Sequence, residues 1–134
     1  KPEIIVNFSN RKCIYSGIPK LVLAHKMYGF PFIDTNGLYG ISNRDNYVIL
    51  NKTDNEFNKL KQFLSTKLAL FVYTSTRYRM RYLEKYAFDF LPDITKLSDF
   101  PDNITDETIA DYFNFDKMER KCIESITNKQ YGTF

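Results

Sequence analysis

Thr53-Asp-Asn-Glu-Phe-Asn-Lys-Leu-Lys-Gln-Phe-Leu-Ser-Thr-Lys-Leu-Ala-Leu-Phe-Val-Tyr73 divides the chain into two kinds of sequence. Thr53 and Glu56 stand at the capping-box spacing, in which a hydroxyl and a carboxylate satisfy the orphan N–H groups of a helix start. Phe57, Leu60, Phe63, Leu64, Leu68, Phe71 and Val72 then recur at helical spacing, so a long helix is predicted to about Tyr73, with continuation beyond it left open. Before Thr53 the pattern is that of strands. Ile4–Phe8, Lys12–Tyr15, Lys20–Ala24, Phe32–Thr35, Leu38–Ser42 and Tyr47–Leu50 are short and rich in β-branched or aromatic residues. Asn36-Gly37 between two of them predicts a hairpin, because both residues tolerate positive φ.

After the helix, Pro92 and Pro101 bracket an irregular acidic connection. Thr105 is predicted to cap a short helix, with Asp106 and Glu107 suited to its dipole. Asp116 and Glu119 repeat the spacing for a last helix to about Ile126. The expected fold is α+β: a small, mainly antiparallel N-terminal sheet, a long helix and a C-terminal helical tail. The 134 residues suit one domain, strand-rich over 1–52, with helix and basic segment over 53–88 and an acidic helical tail over 89–134.

Charge is segregated behind a net value of +3. Between Lys59 and Phe88, Lys59, Lys61, Lys67, Arg77, Arg79, Arg81 and Lys85 stand against Glu84 alone. Between Asp89 and Glu119, nine acids stand against Lys96 and Lys117. Such a split predicts one face for a polyanion and an acidic side turned away from it. The centre of the basic half is Ser75-Thr-Arg-Tyr-Arg-Met-Arg-Tyr-Leu-Glu-Lys85. Guanidinium groups suit phosphates and guanine edges, and tyrosine rings offer stacking faces. An extended segment puts Arg77, Arg79 and Arg81 on one face; a helix aligns Arg77, Arg81 and Lys85. Tyr78 or Tyr82 stacks or braces. Lys67 and Arg44 extend the electrostatic track, and the loop with Asn43, Arg44 and Asn46 has groups that read base edges.

Catalytic signatures are missing. No GxG exists for a phosphate or dinucleotide, and the lone His25 lies near no nucleophile, so it is expected to be a partnered sheet-end side chain. No zinc spacing joins Cys13, Cys122 and His25, and reduced thiols are expected. A metal nuclease built from Asp34, Asp45 and Lys52 has no supporting spacing. The two C-terminal helices have helix-turn-helix form, but their acidic surface argues for packing over DNA reading. No apolar run is long enough for a membrane helix. With no signal-peptide pattern, a cytoplasmic location is expected. The start at Lys1 suggests a fragment or a processed product.

Three stretches carry a family resemblance. Phe63-Leu-Ser-Thr-Lys-Leu-Ala-Leu-Phe71, Thr76-Arg-Tyr-Arg-Met-Arg-Tyr-Leu-Glu-Lys85 and Phe90-Leu-Pro-Asp-Ile94 resemble, in order, the C-terminal target-recognition region of type II (TaqI-like) adenine-specific DNA methyltransferases. Ile104–Phe113 with Glu119–Glu124 is similar to their acidic helical tail, and Lys20–Ala24 through Asp34–Gly40 to the preceding sheet. The resemblance implies a region that binds double-stranded DNA while a separate catalytic domain transfers methyl from S-adenosylmethionine to adenine N6. The Asn/Asp-Pro-Pro-Tyr/Phe motif of that catalytic domain does not occur here. The chain is therefore expected to hold no cofactor or metal and not to be catalytic alone. Two other classes remain: a protein-interaction module docked through the acidic tail, and a stand-alone nucleic-acid-binding domain.

Overall fold

A computed structural model describes residues 4–25, 31–42, 46–76 and 83–125. Lys20–Ala24 forms β1, Pro31–Asp34 β2 and Asn46–Ile49 β3. Both partners run antiparallel to β1, which lies in the middle in the order β2-β1-β3. The period-two alternation of a strand turns Leu21 and Leu23 into the core and leaves Val22 half-buried on the other face. The α+β class read from the sequence is the one found.

Helix α1 spans Asp54–Leu64 and opens with the expected box. The Glu56 N–H donates to Thr53 Oγ1 at 3.2 Å, and the Thr53 N–H donates to Glu56 Oε1 at 2.9 Å. Its Phe57, Leu60, Phe63 and Leu64 are buried. The expected long helix is two helices. The Ser65 hydroxyl donates to the Lys61 carbonyl at 2.7 Å, and the Thr66 hydroxyl to that of Phe63 at 2.6 Å. Thr66 Oγ1 then accepts from the Ala69 N–H, so a side chain opens α2, Lys67–Thr76, where the backbone ladder would have continued.

The N-terminal strands are fewer than expected. Ile4–Phe8 is exposed and pairs with nothing among the described residues, and Lys12–Tyr15 and Leu38–Ser42 contribute only the bridge Ile14–Ile41. Asn36-Gly37 does not join two paired strands. The Asp34 carboxylate accepts the Leu38 and Tyr39 N–H groups at 2.8 and 3.0 Å, which turns the chain away from β2. Gly37, at φ +65°, receives the Gly17 N–H on its carbonyl at 2.8 Å. A Cβ there would lie 2.5 Å from Gly17 C and Ile18 N, so the position needs glycine for close approach as well as for its φ.

After two 3₁₀ turns, Lys85–Phe90 and Ile94–Lys96, come α3, Asp106–Tyr112, and α4, Lys117–Glu124. Thr105 and Asp116 cap them as expected, accepting from the Thr108 and Glu119 N–H groups. One hydrophobic cluster joins Leu21 and Leu23 of the sheet, Phe63 and Tyr73 of the helices, and Phe100 and Ile109 of the tail. Edge-on ring contacts at 5.9 Å between Phe63 and Phe100, and 4.9 Å between Phe100 and Tyr112, tie the tail to α1. Cys13 and Cys122 are free thiols.

Candidate nucleic-acid interface

Two polar clusters resemble reactive centres and are fully occupied by structural bonding. Lys20 is wholly buried, and its Nζ lies 2.6 Å from Asp34 Oδ2. It also donates to the carbonyls of Tyr15 and Ile18 at 3.2 Å, and to that of Tyr39. Burial would raise the Asp34 pKa, but the Lys20 ammonium and the Tyr39 and Leu38 N–H groups outweigh it and hold the carboxyl below its ordinary value. Asp34 is thus engaged by the Lys20 ammonium and two backbone N–H groups.

Lys52 Nζ donates to Asp93 Oδ2 at 2.8 Å and to Thr95 Oγ1 at 2.6 Å. The Thr95 hydroxyl donates to Asp93 Oδ1 at 2.6 Å. Burial again acts upward on Asp93, and the Lys52 and Thr95 hydrogen bonds bring it below the usual carboxylate range. The Thr95 hydroxyl gives its proton to Asp93 and accepts from Lys52, so the trio fastens the 3₁₀ turn to the start of α1. Among the described residues, no group of three or more His, Cys, Asp or Glu side chains is placed to hold a metal ion.

A different arrangement appears where β1 ends. Ala24 lies opposite Asn46, the first residue of β3, and Leu23 opposite Pro31, the first of β2. The Leu83 N–H donates to the His25 carbonyl at 2.6 Å, and the Tyr47 hydroxyl to the Leu83 carbonyl at 2.8 Å. His25 Nδ1 lies 3.0 Å from the same hydroxyl oxygen. Tyr47 has one proton and gives it to Leu83, so Nδ1 is the protonated nitrogen in that contact. Burial, assisted by the charge of Glu84, raises the Tyr47 pKa and keeps the phenol neutral. At the end of α2, the Tyr86 hydroxyl donates to the Thr76 carbonyl.

The sheet pairing and the Leu83 bonds bring His25, Pro31, Asn46 and Leu83 to one end of the sheet. The intervening residues, 26–30, 43–45 and 77–82, contain Lys26, Arg44, Arg77, Arg79 and Arg81 against the single acid Asp45.

Of the residues singled out from sequence, Asn43, Arg44, Arg77, Tyr78, Arg79, Arg81 and Tyr82 lie outside the described residues. Asn46 is half-buried at the start of β3, and Lys85 is exposed beside the Leu83 anchor; both line one trough. Lys67 does not join them. It opens α2, about 14 Å along the helix from Thr76 at 1.5 Å per residue. Its N–H donates to Asp106 Oδ1 at 2.8 Å, and it lines a cleft with Glu107 and Glu124.

The charge split is also partly closed within the molecule. Lys59 pairs with Asp102 at 2.8 Å, and Arg120 with Asp111 at 2.9 Å. His25 is a partnered sheet-end side chain, as its context suggested. Tyr47, Leu83 and Tyr86 were not singled out from sequence, although Leu83 is a lone leucine after Arg-Tyr-Arg-Met-Arg-Tyr and is buried.

Gly37 and Gly40 are packed against Gly17–Ile18 and Cys13, where an added Cβ would come within 2.5 Å of its neighbours. No described helix is long and apolar enough to cross a membrane. No protein-family model, curated protein or solved structure matches the chain.

Proposed function

We propose that this chain is the DNA target-recognition region of an N6-adenine DNA methyltransferase or restriction-modification enzyme. In this reading it binds double-stranded DNA, while a catalytic domain outside the chain binds S-adenosylmethionine and transfers the methyl group. The carrying observation is the gathering of His25, Pro31, Asn46 and Leu83 at one end of the sheet, with strongly basic sequence between them. An enzyme that extracts a base must hold the backbone around it and offset a few kcal/mol of unstacking. Arginines in the sequence that joins the residues of that sheet end suit the task. Arg77 and Arg81 contact phosphates or a guanine edge, Arg79 joins them in an extended segment, and Tyr78 or Tyr82 stacks. Asn46 and Lys85 border the same end, and Asn43 and Arg44 closely precede Asn46 in sequence. The parent enzyme works in the cytoplasm.

The interaction-module reading has weaker support, because Asp102 and Asp111 of the acidic tail already have partners within the chain. The test is fluorescence anisotropy with a duplex across a salt series. Each phosphate contact contributes about 0.9 to the log–log salt slope. Arg77→Ala or Arg81→Ala at a base-reading position costs roughly 1–3 kcal/mol and relaxes preference at one base pair. Unchanged affinity in both variants refutes the proposed surface.

A further inference from the structure

The turn after β2 holds a chemically distinctive pair. Of the chain's asparagines, Asn36 alone is followed by glycine; the others precede larger residues, from lysine and glutamate to phenylalanine and tyrosine. The backbone nitrogen of the following residue attacks an asparagine amide carbon when nothing crowds its approach, and a glycine, lacking Cβ, leaves that approach open. Asn36 is exposed, so water reaches its side chain. The Gly37 N–H, whose nitrogen is the attacking atom, donates to the Asp34 carbonyl at 3.3 Å, longer than the ~3.2 Å upper end of ordinary N–H···O bonds. That hold is weak.

The chain beyond the pair is tightly built. Gly37 faces Gly17 and Ile18 closely, and its carbonyl accepts the Gly17 N–H at 2.8 Å. Leu38 and Tyr39, which follow it, donate their N–H groups to the Asp34 carboxylate that holds the Lys20 ammonium. Tyr39 also gives its carbonyl to Lys20. A change of backbone length or charge at Asn36 therefore reaches a buried ion pair directly.

We propose that Asn36-Gly37 is a site of spontaneous self-modification that loosens the Lys20–Asp34 pair as the protein ages. The Gly37 nitrogen bonds to Asn36 Cγ, and its proton leaves with the side-chain nitrogen as ammonia. Water then opens the resulting cyclic imide. Opening at the side-chain carbonyl gives aspartate, and opening at the main-chain carbonyl gives isoaspartate. In isoaspartate the main chain runs through Cβ and Cγ and is one bond longer, just ahead of the close-packed Gly37. Both products add a negative charge two residues from Asp34. The longer chain draws the Leu38 and Tyr39 N–H groups away from the Asp34 carboxylate.

Incubation of the folded full chain at mildly alkaline pH, followed by intact mass, peptide mapping and enzymatic methylation of isoaspartate, tests the proposal. The chain is expected to gain the mass difference between an amide and an acid, and mapping is expected to place that gain at Asn36. The gain is lost in Asn36→Gln, whose longer side chain must close a larger ring. In the modified fraction the Leu38 and Tyr39 amides exchange hydrogen faster and the urea midpoint falls. A folded chain that keeps its mass overturns the proposal; conversion of the same chain in urea then shows that the turn protects its asparagine. Conversion that begins at another asparagine overturns it as well. Modification at Asn36 with unchanged exchange at Leu38 and Tyr39 overturns the link to the buried pair.

Discussion

Replacing Asp34 with asparagine removes the negative charge in contact with a buried ammonium. Lys20 has no exposed surface, and Asp34 Oδ2 is its anionic partner at 2.6 Å. The amide is nearly isosteric, so little packing changes. If its oxygen keeps the Leu38 N–H, its NH₂ then meets Lys20 Nζ and the Tyr39 N–H, donors both. Removing one partner of a buried pair costs about 3–5 kcal/mol. A 134-residue domain has a stability of ~7–20 kcal/mol in total. The loss is therefore a large fraction of the whole, and at about 3–5 °C per kcal/mol it lowers Tm by roughly 10–20 °C. Urea unfolding followed by far-UV circular dichroism measures it. Lys20→Met is expected to cost less, because the remaining carboxylate keeps two backbone N–H donors. An Asp34→Asn cost within about 1 kcal/mol of zero, the range of exposed ion pairs, would refute the view of Lys20–Asp34 as a closed buried pair.

Acid should weaken the fold through the same carboxylates. Asp34 and Asp93 are held below their ordinary values, so their stabilisation is complete above the unfolded pKa of about 3.9 and is lost as pH falls through the lower folded values. Urea midpoints measured at successively lower pH should fall below about pH 4, less steeply in Asp34→Asn. Gly37→Ala should destabilise by more than about 1 kcal/mol, because a Cβ is opposed by both φ +65° and backbone atoms at 2.5 Å; a smaller change in denaturant midpoint contradicts the close approach. Thr53→Ala should cost about 0.5–2 kcal/mol by the same measurement, through loss of the cap on α1. Tyr47→Phe should cost about 1–3 kcal/mol by leaving the Leu83 carbonyl and His25 Nδ1 without their hydroxyl, and thermal melts that superimpose on wild type would count against that junction.

Local signals in this sequence are legible where one side chain decides the outcome. Thr53, Thr105 and Asp116 each sit at a cap whose bonds involve residues three positions away, and all three caps form. Lys20–Ala24 is a strand because Leu21 and Leu23 must both reach the core. The features that sequence does not reveal depend on competition between local and distant partners. The apolar period runs through Ser65 and Thr66 without a fault, so only their hydroxyl bonds to preceding carbonyls disclose the break. Asn36-Gly37 is an equally good turn in a hairpin or outside one, and the choice falls to Asp34, whose partner Lys20 is remote in sequence. The proposed interface is read only as composition, from the arginines and tyrosines after Thr76. Its frame is not legible, because Leu83 meets His25 and Tyr47 only after three separate stretches of chain have been brought together.

The middle strand of the sheet is the first of its three to occur in the chain, and that order constrains the route of folding. β1 can close on β2 through the short loop that brings Leu23 to Pro31, but its second edge waits for Asn46–Ile49. Shorter closures have the lower entropic cost and are made sooner. During synthesis, Val22 and its neighbours can therefore form a two-stranded ribbon well before the sheet is complete. An isolated hairpin is only marginally stable, so the ribbon gains permanence when β3 and the first turns of α1 arrive together. Mutations in β3 should then speed unfolding more than they slow folding, whereas mutations in β1 should affect both rates.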